Sequence, residues 1–239
     1  MSNRKKRNMY INANSLRTIE PLTDNQTKLF EAYQDGKNVF ASGVAGSGKT
    51  FLMLYLAIKE VFDKTTKYEK VIITRSLLPS RDIGFLPGTL DEKSDLYKDA
   101  YRLLVRYMFE LSSDQEFDKL YDMLEGQGTI QFISTSFLRG LTFDNSIIIC
   151  DEMQNMLFHE LDTLISRVGQ DSKIMFAGDQ AQTDLRNGQR EGLDKFRRIL
   201  ETMPEDFALN EMDYGDIVRS GLVRNYLIAK TNWYLTNQE

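Results

Sequence analysis

Residues 43–50 read Gly-Val-Ala-Gly-Ser-Gly-Lys-Thr. A glycine, four residues and then Gly-Lys-Thr is the spacing of a phosphate-binding loop. Each residue type has a chemical reason to be there. Glycines let the backbone curl so that successive N–H groups face phosphate oxygens, and a Cβ at Gly48 is expected to clash with that wrap. Lys49 brings a compact positive charge to the β- and γ-phosphates, and the Thr50 hydroxyl is a hard oxygen ligand of the kind Mg²⁺ takes. A helix beginning at the loop adds its N-terminal dipole. Nucleotide contacts are therefore expected from Gly43, Ala45, Gly46, Ser47, Gly48, Lys49, Thr50 and Phe51.

The second chemical feature is an apolar run that ends in two carboxylates, Ile147-Ile148-Ile149-Cys150-Asp151-Glu152. A strand ending in an aspartate matches the Walker B feature. Asp151 is expected to hold the water shell of Mg²⁺, and Glu152 to orient or deprotonate an attacking water. Adjacent carboxylates at a buried strand end are costly unless they face a cation. Glutamate after the aspartate favours water over another phosphate acceptor. No Asn/Thr-Lys-x-Asp guanine signature occurs in the chain, which argues against GTP. ATP with Mg²⁺ is the expected pair of ligands.

Further residues are weighed around these two features. Lys173 to Gln182 reads as a strand ending in Gly178-Asp179-Gln180, beside the acidic strand, and Gln180 is the candidate to sense phosphate or position water. Phosphoryl transfer needs positive charge beyond the loop lysine. Arg75, Arg139, Arg167, Arg219 and Arg224 are available; spacing does not choose among them, and Arg219 at the start of the last helix is the candidate taken. Gln26 has two readings, an amide that reads adenine or the fourth residue of a Thr23-x-x-Gln26 capping box. The lone His159 has no second ligand candidate, and Cys150 reads as a small core residue.

The elements that must position these groups follow from periodicity and breakers. Helices are predicted from Thr23 to Tyr33, over 51–62, 91–111, 114–125, 155–168, 190–202 and 216–229. Strands are predicted over 38–42, 71–74, 129–133, 146–150, 173–177 and 207–211. Strands alternate with helices, so the fold class expected is α/β, a parallel sheet with helices on both faces. Residues 77–90 carry two Pro and two Gly and read as loop, opening a helical insertion over 77–128.

Composition closes off other classes. The chain has 239 residues, one cysteine and a formal net charge of −5. A broad basic nucleic-acid face is excluded by that charge; the one basic cluster, Arg4 to Arg7, reads either as a solvated arm or as a phosphate contact. No apolar run approaches the roughly 18 residues of a membrane span, no signal peptide is visible, and the lone cysteine allows no internal disulfide. A cytoplasmic location is the expectation.

Taken together, PLTDNQ (21–26), GVAGSGKT (43–50), ITRSLLPSRDIGFLPG (73–88), LRGLTFDNSIIICDEMQN (138–155), SRVGQDSKIMFAGDQAQTDL (166–185) and DIVRSGLVRNY (216–226) resemble the PhoH family of P-loop ATPases. The resemblance implies a RecA-like domain over 21–230, with a polar arm at 1–20 and a tail at 231–239. It implies phosphate and metal contacts at Gly48, Lys49, Thr50, Asp151 and Glu152, and it sets Gln180 on a helicase-like third motif. It implies a hexameric ring with an ATP site at each subunit junction, where Arg139, Arg167 or Arg219 acts in trans. Short members of this family are common in phages, so a phage source is expected. No PIN-type nuclease segment is seen, and Met153 stands where the family's Asp-Glu-Ala-Gln-Asn has alanine, a change expected to alter packing and not chemistry. Two functional readings follow: an ATPase motor acting on RNA or single-stranded DNA, contacted through 77–128 (Phe85 among them) or the basic arm, and a nucleotide-dependent assembly protein without nucleic acid. A small-molecule kinase is disfavoured by Glu152 and by the Gly-Asp-Gln segment.

Overall fold

The computed structural model describes residues 15–76, 90–185, 187–218 and 220–236. Arg4 to Arg7, Phe85 and Arg219 lie outside the described residues.

The chain runs α1 (Asp24–Gln34), β1 (Asn38–Gly43), α2 (Lys49–Phe62), β2 (Lys70–Arg75), α3 (Leu90–Met108), α4 (Asp114–Gly126), β3 (Ile130–Ser134), β4 (Ser146–Cys150), α5 (Phe158–Ile165), β5 (Lys173–Gly178), α6 (Asn187–Glu201), β6 (Phe207–Met212) and α7 (Gly221–Thr236). The strands form one six-stranded sheet in the order β3-β2-β4-β5-β1-β6. Every pairing within it is parallel, so all strands deliver their C-terminal ends to one edge. This is the α/β, P-loop type of sheet that the alternating pattern predicts.

The four inner strands, β1, β2, β4 and β5, are continuously buried through their middles because each packs on two faces, whereas the edge strands β3 and β6 carry polar residues such as Gln131 and the exposed Glu211. Val39 and Ala41, Val71 and Ile73, Ile147 and Ile149, and Met175 and Ala177 face one core, with α1, α2, α3 and α4. Phe40, Ile72, Ile148 with Cys150, and Ile174 with Phe176 face the other, with α5 and α6. The period of two thus sorts alternate residues into separate cores. Helix α2 is buried from Leu52 to Ile58 without interruption, because it lies between the sheet and the helices outside it. No described residue of α7 belongs to either core.

Several helix boundaries differ from the sequence expectation, the largest shift being the end of α7 at Thr236 against 229, and three of the shifts have a visible local cause. A 3-10 turn at Met153–Asn155 takes up the start of the fifth predicted helix, because Glu152 sits in the left-handed region at φ 53°; the helix proper begins only after Leu157, in extended conformation. Another 3-10 turn at Tyr214–Asp216, held by the Asp213 side chain accepting from Gly215 N, delays α7 to Gly221. The third is the end of α3: Phe109 leaves the helix and pairs with Leu16, while Arg17 N–H donates to Met108 O at 2.8 Å. The last residues of the expected arm are thereby pinned to α3.

Two loop glycines are required for different reasons. At Gly48 a Cβ would meet nothing nearer than the Gln26 amide at 3.5 Å, so the expected clash is absent. What Gly48 supplies is φ 85°, which costs roughly 1–2 kcal/mol for an L side chain. At Gly43 a Cβ would fall on the carbonyl of Met212 in β6. Gly43→Ala should therefore lower stability by about 2–3 kcal/mol, the upper part of the range for forced overpacking, and more than Gly48→Ala. Urea unfolding of both variants checks the order.

Candidate nucleotide-binding site

Chain order puts the site residues on different strands, and parallel pairing brings them together. Ser42 of β1 sits opposite Gly178 of β5, and Cys150 of β4 sits opposite Phe176 of β5 and Thr74 of β2. The turns that follow β1, β2, β4 and β5 consequently meet at one edge, where open α/β sheets bind ligands. They surround a cleft of about 430 Å³ lined by Ala45, Gly46, Gly48, Lys49, Thr50, Phe51, Arg75, Tyr101, Asp151, Glu152, Asp179 and Gln182, among others. Gly43 and Ser47 are not among its lining residues.

Lys49 is buried, and its ammonium donates to Gly43 O and Val44 O at 2.8 Å each and to Ser47 Oγ at 3.0 Å. Burial pulls it below the ordinary lysine range, against the attraction of Asp179, Asp151, Glu152 and Asp216. The Thr50 hydroxyl donates to Asp151 Oδ1 at 2.6 Å. A hydroxyl and a carboxylate oxygen in contact beside a lysine are the hard oxygen set that fits Mg²⁺. Among the described residues no group of three His, Cys, Asp or Glu could hold a metal. A metal here would need further oxygens from a ligand or from water.

Glu152 stands next to Asp151 in the strained left-handed region. Desolvation, then repulsion from Asp151, pushes its carboxyl above the ordinary glutamate range, which Arg75 and Gln154 partly oppose. A carboxylate so raised is a better proton acceptor from water. Arg75 lies 4.0 Å from Glu152 and stacks over the Tyr97 ring at 4.3 Å. Among the described residues it is the arginine that lines the cleft. Arg139 and Arg224 are exposed, and Arg167 donates to Leu141 O and Ser166 Oγ.

The strand after the acidic pair behaves differently from the expectation. Gln180 is exposed and lines a small adjoining pocket with Gln154 and Thr183. The cleft is reached instead by Asp179 and Gln182. Asp179 Oδ2 accepts from the loop's Ala45 N–H at 2.9 Å and from Gln182 Nε2 at 3.0 Å. Gln154, buried, donates to the Glu152 carboxylate and accepts from Asp179 N at 3.0 Å. Four residues to which spacing assigned no role thus surround the acidic pair: Tyr101, Gln154, Asp179 and Gln182. A Gly-Asp step ending the strand beside β1 was the available signal for Asp179; for Tyr101 there was none. Met153, at the alanine position, is fully buried in the second core.

Gln26 caps and bridges. The Thr23 hydroxyl accepts from Gln26 N at 3.3 Å, one half of the capping box. The Gln26 amide does not return to Thr23: its Oε1 accepts from Leu22 N at 2.8 Å, and its Nε2 donates to Ser47 O at 3.0 Å. The start of α1 is thereby tied to the phosphate loop. Asp216 reinforces it, accepting from the Thr23 hydroxyl, from Asn25 Nδ2 at 2.9 Å and from Asp213 N at 2.8 Å.

The family model for PhoH-like proteins matches residues 18–230. The chain belongs to the PhoH-like family. It is 33% identical over 214 residues to a PhoH-like protein of Mycobacterium leprae, covering 89% of this chain and 58% of the relative. It is 30% identical over 208 residues to Protein PhoH of Escherichia coli, covering 85% and 56%. The chain therefore spans somewhat over half the length of these relatives. Both are bacterial and lend no support to a phage source. Among solved structures, the large terminase of a thermophilic bacteriophage aligns with a TM-score of 0.49 at 11% identity over 87% of this chain and 50% of that one. Unliganded Pif1 from Bacteroides aligns with a TM-score of 0.39 at 19% identity over 84% and 43%. No described helix is long and apolar enough to cross a membrane.

In this PhoH-like chain the Asp216 network makes an acid-sensitive tie. Burial alone would raise the Asp216 carboxyl, but the Thr23, Asn25 and Asp213 donors outweigh it and hold it below the ordinary range. A carboxylate depressed in the fold stabilises above its unfolded pKa of about 3.9 and loses that contribution as pH falls through the folded value. Asp216→Asn should cost about 1.5–3 kcal/mol at pH 7, with the gap to the parent narrowing below about pH 4. Urea titrations at pH 7 and at acid pH read both.

Proposed function

We propose that the protein binds ATP with Mg²⁺ and hydrolyses it, as a hexameric ring-shaped motor acting on RNA or single-stranded DNA. The observation that carries the hydrolytic reading is the convergence of Lys49, Thr50, Asp151 and Glu152 on one cleft at the C-terminal edge of the sheet. The γ-phosphate would displace the internal acceptors of Lys49. Thr50 and Asp151 would hold the metal, which supplies charge neutralisation to the phosphates when bound. Glu152 would take the proton of the attacking water, held in place by Gln154 and Arg75. Asp179 and Gln182 would respond to the γ-phosphate, because Asp179 already bonds the loop at Ala45. Arg219 remains the arginine proposed to act across a subunit junction.

The assembly reading has its own observation. Helix α7 exposes Leu222, Tyr226 and Trp233, spaced along one face at helical intervals. Such a stripe fits contact with another subunit, in a ring motor or in an assembly that uses ATP only as glue.

Steady-state ATP hydrolysis by the parent and by Lys49→Ala, with and without single-stranded RNA, separates the readings. Magnesium-dependent turnover is expected, falling about a hundredfold or more in the variant, as when a transition-state donor is lost. A several-fold rise with RNA supports the motor; turnover indifferent to nucleic acid supports the assembly. An inactive parent in its assembled state would refute hydrolysis.

A further inference from the structure

Helix α3 belongs to the segment between β2 and β3, away in sequence from every phosphate-loop and acidic residue. One of its faces nevertheless closes the cleft, through Ala100, Tyr101 and Leu104. Tyr101 is buried, with its ring 5.7 Å from Phe132 of β3. Its hydroxyl donates to Asp151 Oδ2 at 2.8 Å. Since Thr50 bonds the other oxygen, the carboxylate is fixed at both ends. One turn earlier on the same face, Tyr97 carries the guanidinium of Arg75, which in turn faces Glu152. Two tyrosines four residues apart therefore reach both members of the acidic pair, Tyr101 directly and Tyr97 through Arg75.

We propose that Tyr101 is the positioning residue of the metal site, making α3 a clamp that sets the orientation of Asp151. This rests on the reading of the cleft as a metal–nucleotide site. The physical reason is the geometry of a carboxylate. With Oδ2 held by a buried phenol at the cleft wall, rotation of the group is restrained, and Oδ1 stays directed at Thr50 and the cleft. Without the phenol, Oδ2 would lose the donor it has among the described residues, and the carboxylate would have to turn to find another. Outer partners that orient metal-ligating groups are commonly worth about 10–100-fold in metal affinity. The arrangement also links two places. Whatever seats or lifts α3 shifts metal–nucleotide affinity, and by reciprocity metal–nucleotide binding seats α3.

The test is Tyr101→Phe, which keeps the ring against Phe132 and removes only the hydroxyl. Mn²⁺ binding is measured by electron paramagnetic resonance in the presence of a non-hydrolysable ATP analogue. Affinity of the analogue alone is measured in EDTA. Phe132→Leu, which disturbs the same packing and leaves the hydroxyl, is the control. The expected result is Mn²⁺ affinity reduced about tenfold in Tyr101→Phe, with metal-free analogue affinity unchanged and a smaller loss in the control. Mn²⁺ affinity equal to that of the parent overturns the proposal, as does an equal loss in Phe132→Leu, which would assign the effect to packing. A parent chain that binds the analogue no better with Mn²⁺ than without it overturns the metal–nucleotide reading itself, and the proposal with it.

Discussion

The contact on which the site depends is the hydrogen bond from Thr50 to Asp151, between residues 101 positions apart in the chain. Neither residue can reach the other without the sheet. Thr50 is fixed because α2 begins at the end of the loop after β1, and Asp151 because β4 ends there. The strand between them, β5, pairs with both. A slip of one residue in either pairing would turn every strand side chain to the opposite face, exchanging the two cores and withdrawing Asp151 from the cleft. The two-faced burial of β1, β4 and β5 is what forbids that slip. Packing energy spread across the domain is thus what holds a 2.6 Å contact between two side chains of the cleft.

Conformational cost gathers at the same edge. Glu152 adopts a left-handed backbone that non-glycine residues seldom take. Gly43 is pressed against Met212 so closely that no side chain fits. Lys49 is buried among carbonyls. Each is unfavourable alone and is sustained by its surroundings: Gln154 and Arg75 on Glu152, β6 beside Gly43, and three acceptors on Lys49. Strain held in place by an over-determined frame is a property of functional sites, and here it coincides with the residues whose types first suggested chemistry.

What was legible in the sequence divides along physical lines. The strands were legible because a buried parallel strand is a short apolar run between breakers, and the loop because only glycines and one lysine build it. Asp151 and Glu152 were legible because carboxylates closing such a run are conspicuous. Partners that depend on side chains meeting across space were not. Nothing in the spacing brings Tyr101 of α3 to Asp151, and nothing distinguishes Gln182 from Gln180. Both glutamines follow the same strand, and a 3-10 turn decides which one faces the cleft. The delayed starts of α5 and α7 are also local: a turn set by the left-handed backbone of Glu152 and a turn held by the Asp213 side chain override a helical pattern that continues through them.

The closed state of these bonds also bears on what can open them. Lys49 surrenders two carbonyls and a hydroxyl only to an acceptor of higher charge, since a neutral ligand offers nothing those groups do not. On the same reading, Thr50 and Asp151 would part only for a cation that compensates the two adjacent carboxylates, whose mutual repulsion already contributes to raising Glu152. An anion alone would satisfy the lysine and worsen the repulsion at the acidic pair. A metal alone would lack ligands, since the protein brings two oxygens to a cation that takes about six. On the proposed reading, the two halves of the cleft would therefore select jointly for a ligand that carries both charges at once. A metal-bound polyphosphate would meet that condition, and the discrimination would come from the bonds the protein makes with itself.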